Sequence, residues 1–205
     1  MADNKRRSIV TGEDVRDVPV GGELEIAAGA IVTPWAREIA DQRGVRLLET
    51  GAAQAGKLVA IGADHGGFPL KEELKKVLTR LGRASRDVGT FSTDPVDYPD
   101  IALAVAQAVR EGNARFGILV DGAGIGSAMA ANKVPGVRAA LCVDVAAARN
   151  AREHNDANVL TLGAKFVDAA TAAEIVAAFL STECTEERHV KRVRKIVAIE
   201  EHYSK

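Results

Sequence analysis

Short apolar runs alternate with helical repeats along most of the chain, and this order restricts the fold more than any other feature. The run at 57–62 predicts a buried strand, and the run at 116–120 is apolar on both faces. Between them, residues 69–81 carry leucine and valine at helical spacing. Strand and helix in strict alternation build parallel sheets with helices on both faces. The sequence therefore predicts an α/β fold with strands at 57–62, 83–88, 116–120, 137–143 and 159–162, and helices at 69–81, 97–110, 125–132, 144–153, 168–180 and 186–202.

The chain divides into two unequal parts near residue 55. Its 205 residues suit one large domain, or a domain of about 150 residues with an appendage. Residues 51–56 are small and uncharged, which predicts a linker. The linker would join an N-terminal extension at 1–50 to a main domain at 57–205.

The extension carries weaker structural signals than the main domain. Residues 23–26 alternate as a short strand does, and Thr33 and Pro34 predict the start of a helix that ends at Gly44. No internal repeat is evident in the sequence. Because about fifty residues make a marginal core, we expect the extension to pack on, or dock to, a larger body.

Composition excludes several classes of protein. The net charge is −1 and aromatic residues make up 4% of the chain, which argues against a cationic nucleic-acid surface and against base-stacking platforms. No apolar run approaches the ~20 residues that span a bilayer, and the basic start is not followed by an apolar signal core. We therefore expect an intracellular, cytoplasmic protein.

Ligands of open parallel sheets bind beyond the carboxyl ends of the strands, which nominates the loops after the first, third and fifth predicted strands. The first of these loops contains Asp64 and His65, followed by two glycines. Asp64 would orient or charge-stabilise His65, and His65 would lie at a helix N-terminus, where anions bind. The alternative is that Asp64 only caps the helix.

The second loop has glycine at every second position, at Gly122, Gly124 and Gly126. Such a loop exposes successive backbone N–H groups to an anion. It matches neither the dinucleotide fingerprint, because position 127 is serine, nor a phosphate-binding P-loop. Asp121 follows four apolar strand residues at the mouth of the expected crevice, although it would also suit an Asp-Gly turn.

Two further polar groups lie near the C-terminus. His154 could transfer protons near neutral pH, and Asn155 could bind hydroxyl groups, unless they form an ordinary polar helix end. Arg188 and Arg192 fall on one helical face and suit a phosphate, although many such runs are solvated faces. The four histidines lack the spacing of a metal site, and the two cysteines form no CxxC pair. Together these signals predict a small, phosphorylated, polyhydroxylated ligand.

These residues form a pattern that resembles the ribose-5-phosphate isomerase B family, which includes the galactose-6-phosphate isomerase subunits. The resemblance covers about 57–203 and rests on the segments 61–68, 97–99, 122–126 with 130–133, 136–139, 154–160 and 188–193. It implies a Rossmann-like three-layer sandwich around a five-stranded parallel sheet. It also implies aldose–ketose isomerisation of a phosphorylated sugar through a cis-enediol, without cofactor or metal.

The resemblance also implies residue roles and partners. His154 would help to open the sugar ring, and the loop from Gly122 to Gly126 would donate N–H groups to the enediolate. The remaining predicted contacts are to hydroxyl groups, from Asp64, Tyr98 and Asn155, and to the phosphate, from His65, Arg188 and Arg192. Family members work as homodimers or tetramers whose active sites are shared between subunits. Ribose 5-phosphate, in the pentose phosphate pathway, is the default substrate, and tetrose and hexose phosphates remain open.

The sequence departs from the family at the base. Many members have a cysteine where this chain has Asp121, and others have a glutamate where it has Ser127. The hydroxyl residue often found at position 123 is alanine here. Carboxylates serve as bases in enolisation, so Asp121 is the predicted base. The alternative is a catalytically silent sugar-phosphate binding protein or regulatory subunit.

The extension has a second, shorter resemblance. Residues 29–40 are similar to a stretch seen in some proteins of bacterial microcompartment operons. This similarity suggests that residues 1–50 dock the enzyme to a microcompartment shell or cargo partner, and that the protein lies within such a compartment.

Overall fold

In the computed structural model, residues 9–27, 31–50 and 58–203 are described. The chain forms two compact units, residues 1–56 and 57–205. The predicted linker at 51–56 lies outside the described residues. None of the helices in the described ranges is long and apolar enough to cross a membrane.

The larger unit is built on one parallel sheet of five strands. The strands are β5 (Val59–Ala63), β6 (Ser85–Asp87), β7 (Phe116–Asp121), β8 (Ala139–Leu141) and β9 (Val159–Gly163). Their order across the sheet is β6-β5-β7-β9-β8, and every neighbouring pair is parallel. The predicted five-stranded parallel sheet is confirmed.

Helices cover both faces of this sheet. The helices are α3 (Phe68–Arg80), α4 (Tyr98–Arg110), α5 (Ile125–Ala131), α6 (Val145–Asn155), α7 (Ala169–Ser181) and α8 (Glu187–Tyr203). One core cluster joins the sheet to α3, α6 and α7, and a second joins it to α4 and α5. The strands β5, β7 and β9 are buried along their whole length, because they lie between these two clusters. The predicted three-layer sandwich is therefore confirmed.

The smaller unit consists of β1 (Ile9–Val10), α1 (Gly12–Arg16), β2 (Glu23–Ala27), β3 (Ile31–Val32), α2 (Pro34–Arg43) and β4 (Arg46–Thr50). Thr33 caps α2 by accepting a hydrogen bond from the Ala36 N–H at 3.2 Å, and the helix ends at Gly44, whose φ is +64°. The predicted helix and strand are confirmed. This unit has its own small core, formed by Val10, Val15, Ile26, Ala36, Ile39, Ala40 and Val45.

The smaller unit contains an internal duplication that the sequence analysis missed. Each half is a strand, a helix and a second strand, and each helix follows the tripeptide Ile-Val-Thr, at 9–11 and 31–33. Equivalent strands pair in parallel across the halves, with Ile9 opposite Ile31 and Glu23 opposite Arg46. The longest run of identical residues shared by the halves is this tripeptide. The helices that follow it differ in length, since α1 has 5 residues and α2 has 10, and this difference hides the repeat in the sequence. The expectation of no internal repeat is wrong.

Candidate active site

The switch point of the sheet lies between β5 and β7, because the chain runs from β5 to β6 on one side and returns to β7 on the other. The loops after these two strands are in close contact. A Cβ on Gly66 would lie 3.4 Å from Asp64 Oδ1 and 3.9 Å from the Gly122 nitrogen. A Cβ on Gly67 would lie only 2.1 Å from the Val120 carbonyl oxygen, so no side chain fits there. The two loops predicted to bind ligand therefore lie side by side at the switch point, where open parallel sheets form their ligand crevice.

Asp64 stabilises its own turn. Its Oδ1 accepts a hydrogen bond from the Gly67 N–H at 2.8 Å, just before α3 begins. His65 is exposed, and its Nδ1 accepts a hydrogen bond from the Val96 N–H at 3.3 Å. The Asp64 bond closes the turn before α3 and does not cap the helix, whose N-cap residue is Gly67 without a side-chain cap, and the described hydrogen bonds do not pair Asp64 with His65.

Asp121 is buried at the end of β7, with 5% of its surface exposed. Its Oδ1 accepts hydrogen bonds from the N–H groups of Ala123, at 2.7 Å, and Gly124. Its Oδ2 accepts from the Ser127 N–H, at 3.1 Å, and from the Ser127 hydroxyl. Both carboxylate oxygens are thus engaged by the loop that follows them.

The glycine loop keeps some N–H groups available. The prediction that Gly124 donates to substrate needs correction, because its N–H bonds to Asp121. Gly124 has a φ of +75°, and a Cβ there would lie 2.5 Å from Leu141 Cδ1, so this glycine shapes the loop. Within the described residues, the N–H groups of Gly122 and Gly126 have no acceptor. A Cβ on Gly126 would lie 2.5 Å from Tyr98 Cζ, which places the half-exposed tyrosine ring against the loop.

A buried lysine fixes the loop that leads to Tyr98. Lys71 is fully buried, and its Nζ donates to both carboxylate oxygens of Asp87 at 2.7 Å and to the Thr90 carbonyl at 2.6 Å. Burial favours a higher pKa for Asp87, but the hydrogen bonds from Lys71, Lys75 and the Gly89 N–H outweigh it, so the pKa of Asp87 is lowered. This ion pair ties β6 and the loop after it to α3.

His154 and Asn155 lie on the last turn of α6, immediately before β9. The His154 ring packs against the ring of His189, on the first turn of α8, with 4.1 Å between ring centroids. Arg188 and Arg192 flank His189 on the same helix and are exposed, and Arg188 Nε lies 3.6 Å from Glu186. The C-terminal candidates therefore form a second group, around the start of α8.

Comparison with known proteins identifies this arrangement. Residues 59–196 match the family model described as Ribose/Galactose Isomerase. Ribose-5-phosphate isomerase B of Escherichia coli is 43% identical over 71% of this chain and 97% of that protein. D-erythrulose-4-phosphate isomerase of Pectobacterium atrosepticum is 39% identical over 67% and 91%. The structure of Clostridium thermocellum ribose-5-phosphate isomerase B superposes with a TM-score of 0.70 at 46% identity, covering 71% of this chain and 99% of that one.

The chain belongs to the ribose/galactose isomerase family. The resemblance inferred from the sequence motifs is confirmed, and so is the expectation that the chain is an isomerase. The match begins at residue 59, so the smaller unit, residues 1–56, lies outside it.

In this isomerase the two groups of candidates lie at opposite ends of the parallel strands. Asp64, Asp121 and Gly122 follow the carboxyl ends of β5 and β7, whereas His154 and Asn155 precede the amino end of β9. All five strands are parallel, so the two ends are separated by the length of β9, which has five residues and is about 16 Å long. The candidates assigned to one active site are therefore not brought together within one chain.

Lys165 is a residue of the isomerase crevice that the sequence analysis missed. It follows β9, its N–H donates to the Gly122 carbonyl at 3.1 Å, and its Nζ lies 3.8 Å from where a Gly122 Cβ would be. The carboxyl-end rule nominates the loop after the fifth strand, which contains Lys165, whereas the polar residues singled out in the sequence lie before that strand. Lys165 brings a cation to the glycine loop.

Proposed function

We propose that this isomerase interconverts the aldose and ketose forms of a phosphorylated sugar through a cis-enediol, with ribose 5-phosphate as the first substrate to test. The observation that supports this most is the crevice at the switch point. It combines two N–H groups without an acceptor, at Gly122 and Gly126, with the Tyr98 hydroxyl and the Lys165 cation. N–H groups stabilise a developing enediolate, and a cation binds a phosphate. Tetrose phosphates are tested as well, because one relative of this chain is a D-erythrulose-4-phosphate isomerase.

The proposed site is completed by a second copy of the chain. The C-terminal candidates lie at the end of the strands opposite to Asp121, so they would act on the substrate held by the partner. These candidates are His154, Asn155, Arg188 and Arg192. In this proposal His154 opens the ring, Asn155 and Asp64 hold hydroxyl groups, and His65 and the arginines hold the phosphate. A homodimer is the smallest assembly that provides such a site.

Asp121 is the proposed base for the C2 proton. It lies at the end of β7, next to Gly122, at the position where the resemblance implies a cysteine in many family members. To reach a substrate carbon, one of its oxygens would have to release donors in its own loop, because both oxygens are engaged there. This engagement favours a second candidate function, a sugar-phosphate binding protein without turnover.

Hydrogen exchange separates these two functions. The protein is incubated in D2O with tetrose, pentose and hexose phosphates, and NMR follows deuterium uptake at C2 and sugar binding in the same samples. We expect exchange with at least one sugar. Saturable binding with no exchange for any sugar would establish the silent binding protein instead.

The smaller unit is proposed to dock the isomerase to a partner, with a microcompartment shell or cargo protein as the partner class. Its support is that residues 1–56 form a compact unit outside the family match. We expect deletion of residues 1–56 to leave turnover within about twofold of the full chain, since domains of this kind keep their own cores. Co-localisation with the shell should be lost. Loss of folding in the deletion variant would show that the unit serves stability.

A further inference from the structure

Two side chains at the end of α6 converge with one at the start of α8 that is distant from them in sequence. They are Glu153 and His154, at the end of α6, and His189, at the start of α8. One ligand atom from each lies within 4.8 Å of the other two. Glu153 Oε1 and His154 Nε2 are 3.9 Å apart. Spacing along the sequence did not indicate a metal site, because 34 residues lie between the two histidines.

His189 is oriented as metal-binding histidines commonly are. It is 2% exposed, and its Nδ1 lies 3.1 Å from the Glu153 carbonyl oxygen. A carbonyl oxygen only accepts, so this contact assigns the ring proton to Nδ1 and leaves a lone pair on Nε2. A backbone carbonyl that receives the other ring N–H is the usual outer partner of a histidine bound to metal.

The other two side chains have room to adjust. The side chain of His154 is 40% exposed and that of Glu153 is 49% exposed, so both can change rotamer at little cost. The side-chain amide of Asn150 lies 3.1 Å from His154 Nδ1. With its oxygen turned to that nitrogen, Asn150 would accept the Nδ1 proton and leave Nε2 of His154 as a ligand.

We propose that Glu153, His154 and His189 bind one divalent transition-metal ion, with Zn²⁺ as the best fit, and leave a fourth position open. Two imidazole nitrogens and one carboxylate match the ligand preference of zinc. Zinc ligands at 2.0–2.2 Å from the metal lie about 3.3 Å from one another, so the three groups need to close by about 1.5 Å or less. The rotamer freedom of Glu153 and His154 allows this movement.

Zinc binding has a consequence for turnover that rests on the proposed function. A metal on Nε2 removes His154 as a proton carrier for ring opening, so zinc should inhibit the isomerase. The binding site itself does not depend on isomerase activity.

The test is a zinc titration of the full chain after treatment with a chelator, with a chromophoric zinc indicator as competitor. A Cys184→Ser background removes the half-buried thiol of Cys184 as an alternative ligand, while burial raises the pKa of Cys142 to about 11 and keeps that thiol protonated. We expect one zinc ion per chain, with shifts of the His154 and His189 ring signals in NMR. Glu153→Gln should weaken binding about tenfold or more, whereas Glu174→Gln, an exposed change on α7, should not.

The outcomes separate the two proposals. If zinc binds as expected but no sugar exchanges hydrogen, the metal site stands and the proposed function fails. If a sugar turns over, Glu153→Gln should need about tenfold more zinc for half inhibition than the unaltered chain, each measured against its own turnover without zinc. The absence of a saturable site, or equal zinc affinity in Glu153→Gln and Glu174→Gln, overturns the metal site.

Discussion

Replacement of Asp121 by alanine is expected to lower turnover of the best sugar phosphate by about a thousandfold, the usual contribution of a general base. The same change should lower the free energy of unfolding by about 2–4 kcal/mol, because three N–H groups and one hydroxyl in the loop lose their acceptor. Turnover is measured by the exchange assay, and stability by denaturant unfolding.

Asp121→Cys distinguishes a base from a residue that only holds the loop. Cysteine is the residue that the motif resemblance implies at this position in many family members, and an ordinary thiol loses its proton at a higher pH than an ordinary carboxyl. If Asp121 is the base, Asp121→Cys should recover part of the turnover, and the acidic limb of its pH–rate profile should move upward. Recovery would fail if the carboxylate only organises the loop.

Ser127→Ala is the matched control for loop geometry. It removes one hydroxyl donor to Asp121 and keeps the three backbone donors. We expect a loss of turnover of less than about tenfold, because the charge and position of the carboxylate are kept. A loss in Ser127→Ala as large as in Asp121→Ala would contradict the role of Asp121 as base.

Mixed dimers should recover activity from two inactive variants. Asp121→Ala and His154→Asn change residues at opposite ends of the strands, and each alone should lower turnover by about a hundredfold or more. A homodimer with shared sites that carries one chain of each kind contains one intact site and one doubly altered site. A purified mixed dimer should therefore show about half of the wild-type activity, and the unpurified random mixture about a quarter.

The experiment uses co-expression with two different affinity tags, so that mixed dimers can be purified. Dimers purified by the same two tags, with Asp121→Ala in both chains, serve as the control, because neither of their sites contains an intact Asp121. A mixed dimer of Asp121→Ala and His154→Asn that stays as inactive as its parents would show that each site uses residues of one chain only.

The sequence predicted the fold well because its signals are local. Buried strands such as Phe116–Asp121 are continuous apolar runs, and the cap and stop at Thr33 and Gly44 lie within one helix. The strand 83–88 was predicted too long, since only Ser85–Asp87 pairs with β5. Its neighbours in the sequence carry no alternation that would mark where pairing ends.

The candidate site was harder to predict because it depends on contacts between distant segments. Spacing along the chain could show neither that the donors of the loop turn toward Asp121 nor that Lys165 lies against Gly122. The approach of His189 to Glu153 depends equally on how α8 packs against α6. The sequence does imply the separation of His154 from Asp121, since a residue before one parallel strand and a residue at the end of another lie at opposite ends of the strands.

The duplicated small unit has a consequence for how it can have arisen and how it must fold. In its described strands, each strand pairs only with its equivalent in the other half, so neither half contains a complete sheet. Two separate copies of such a half could make the same pairings as a symmetric dimer. The unit thus has the strand pairing of two short chains joined end to end, and its two halves must meet before either gains a paired strand.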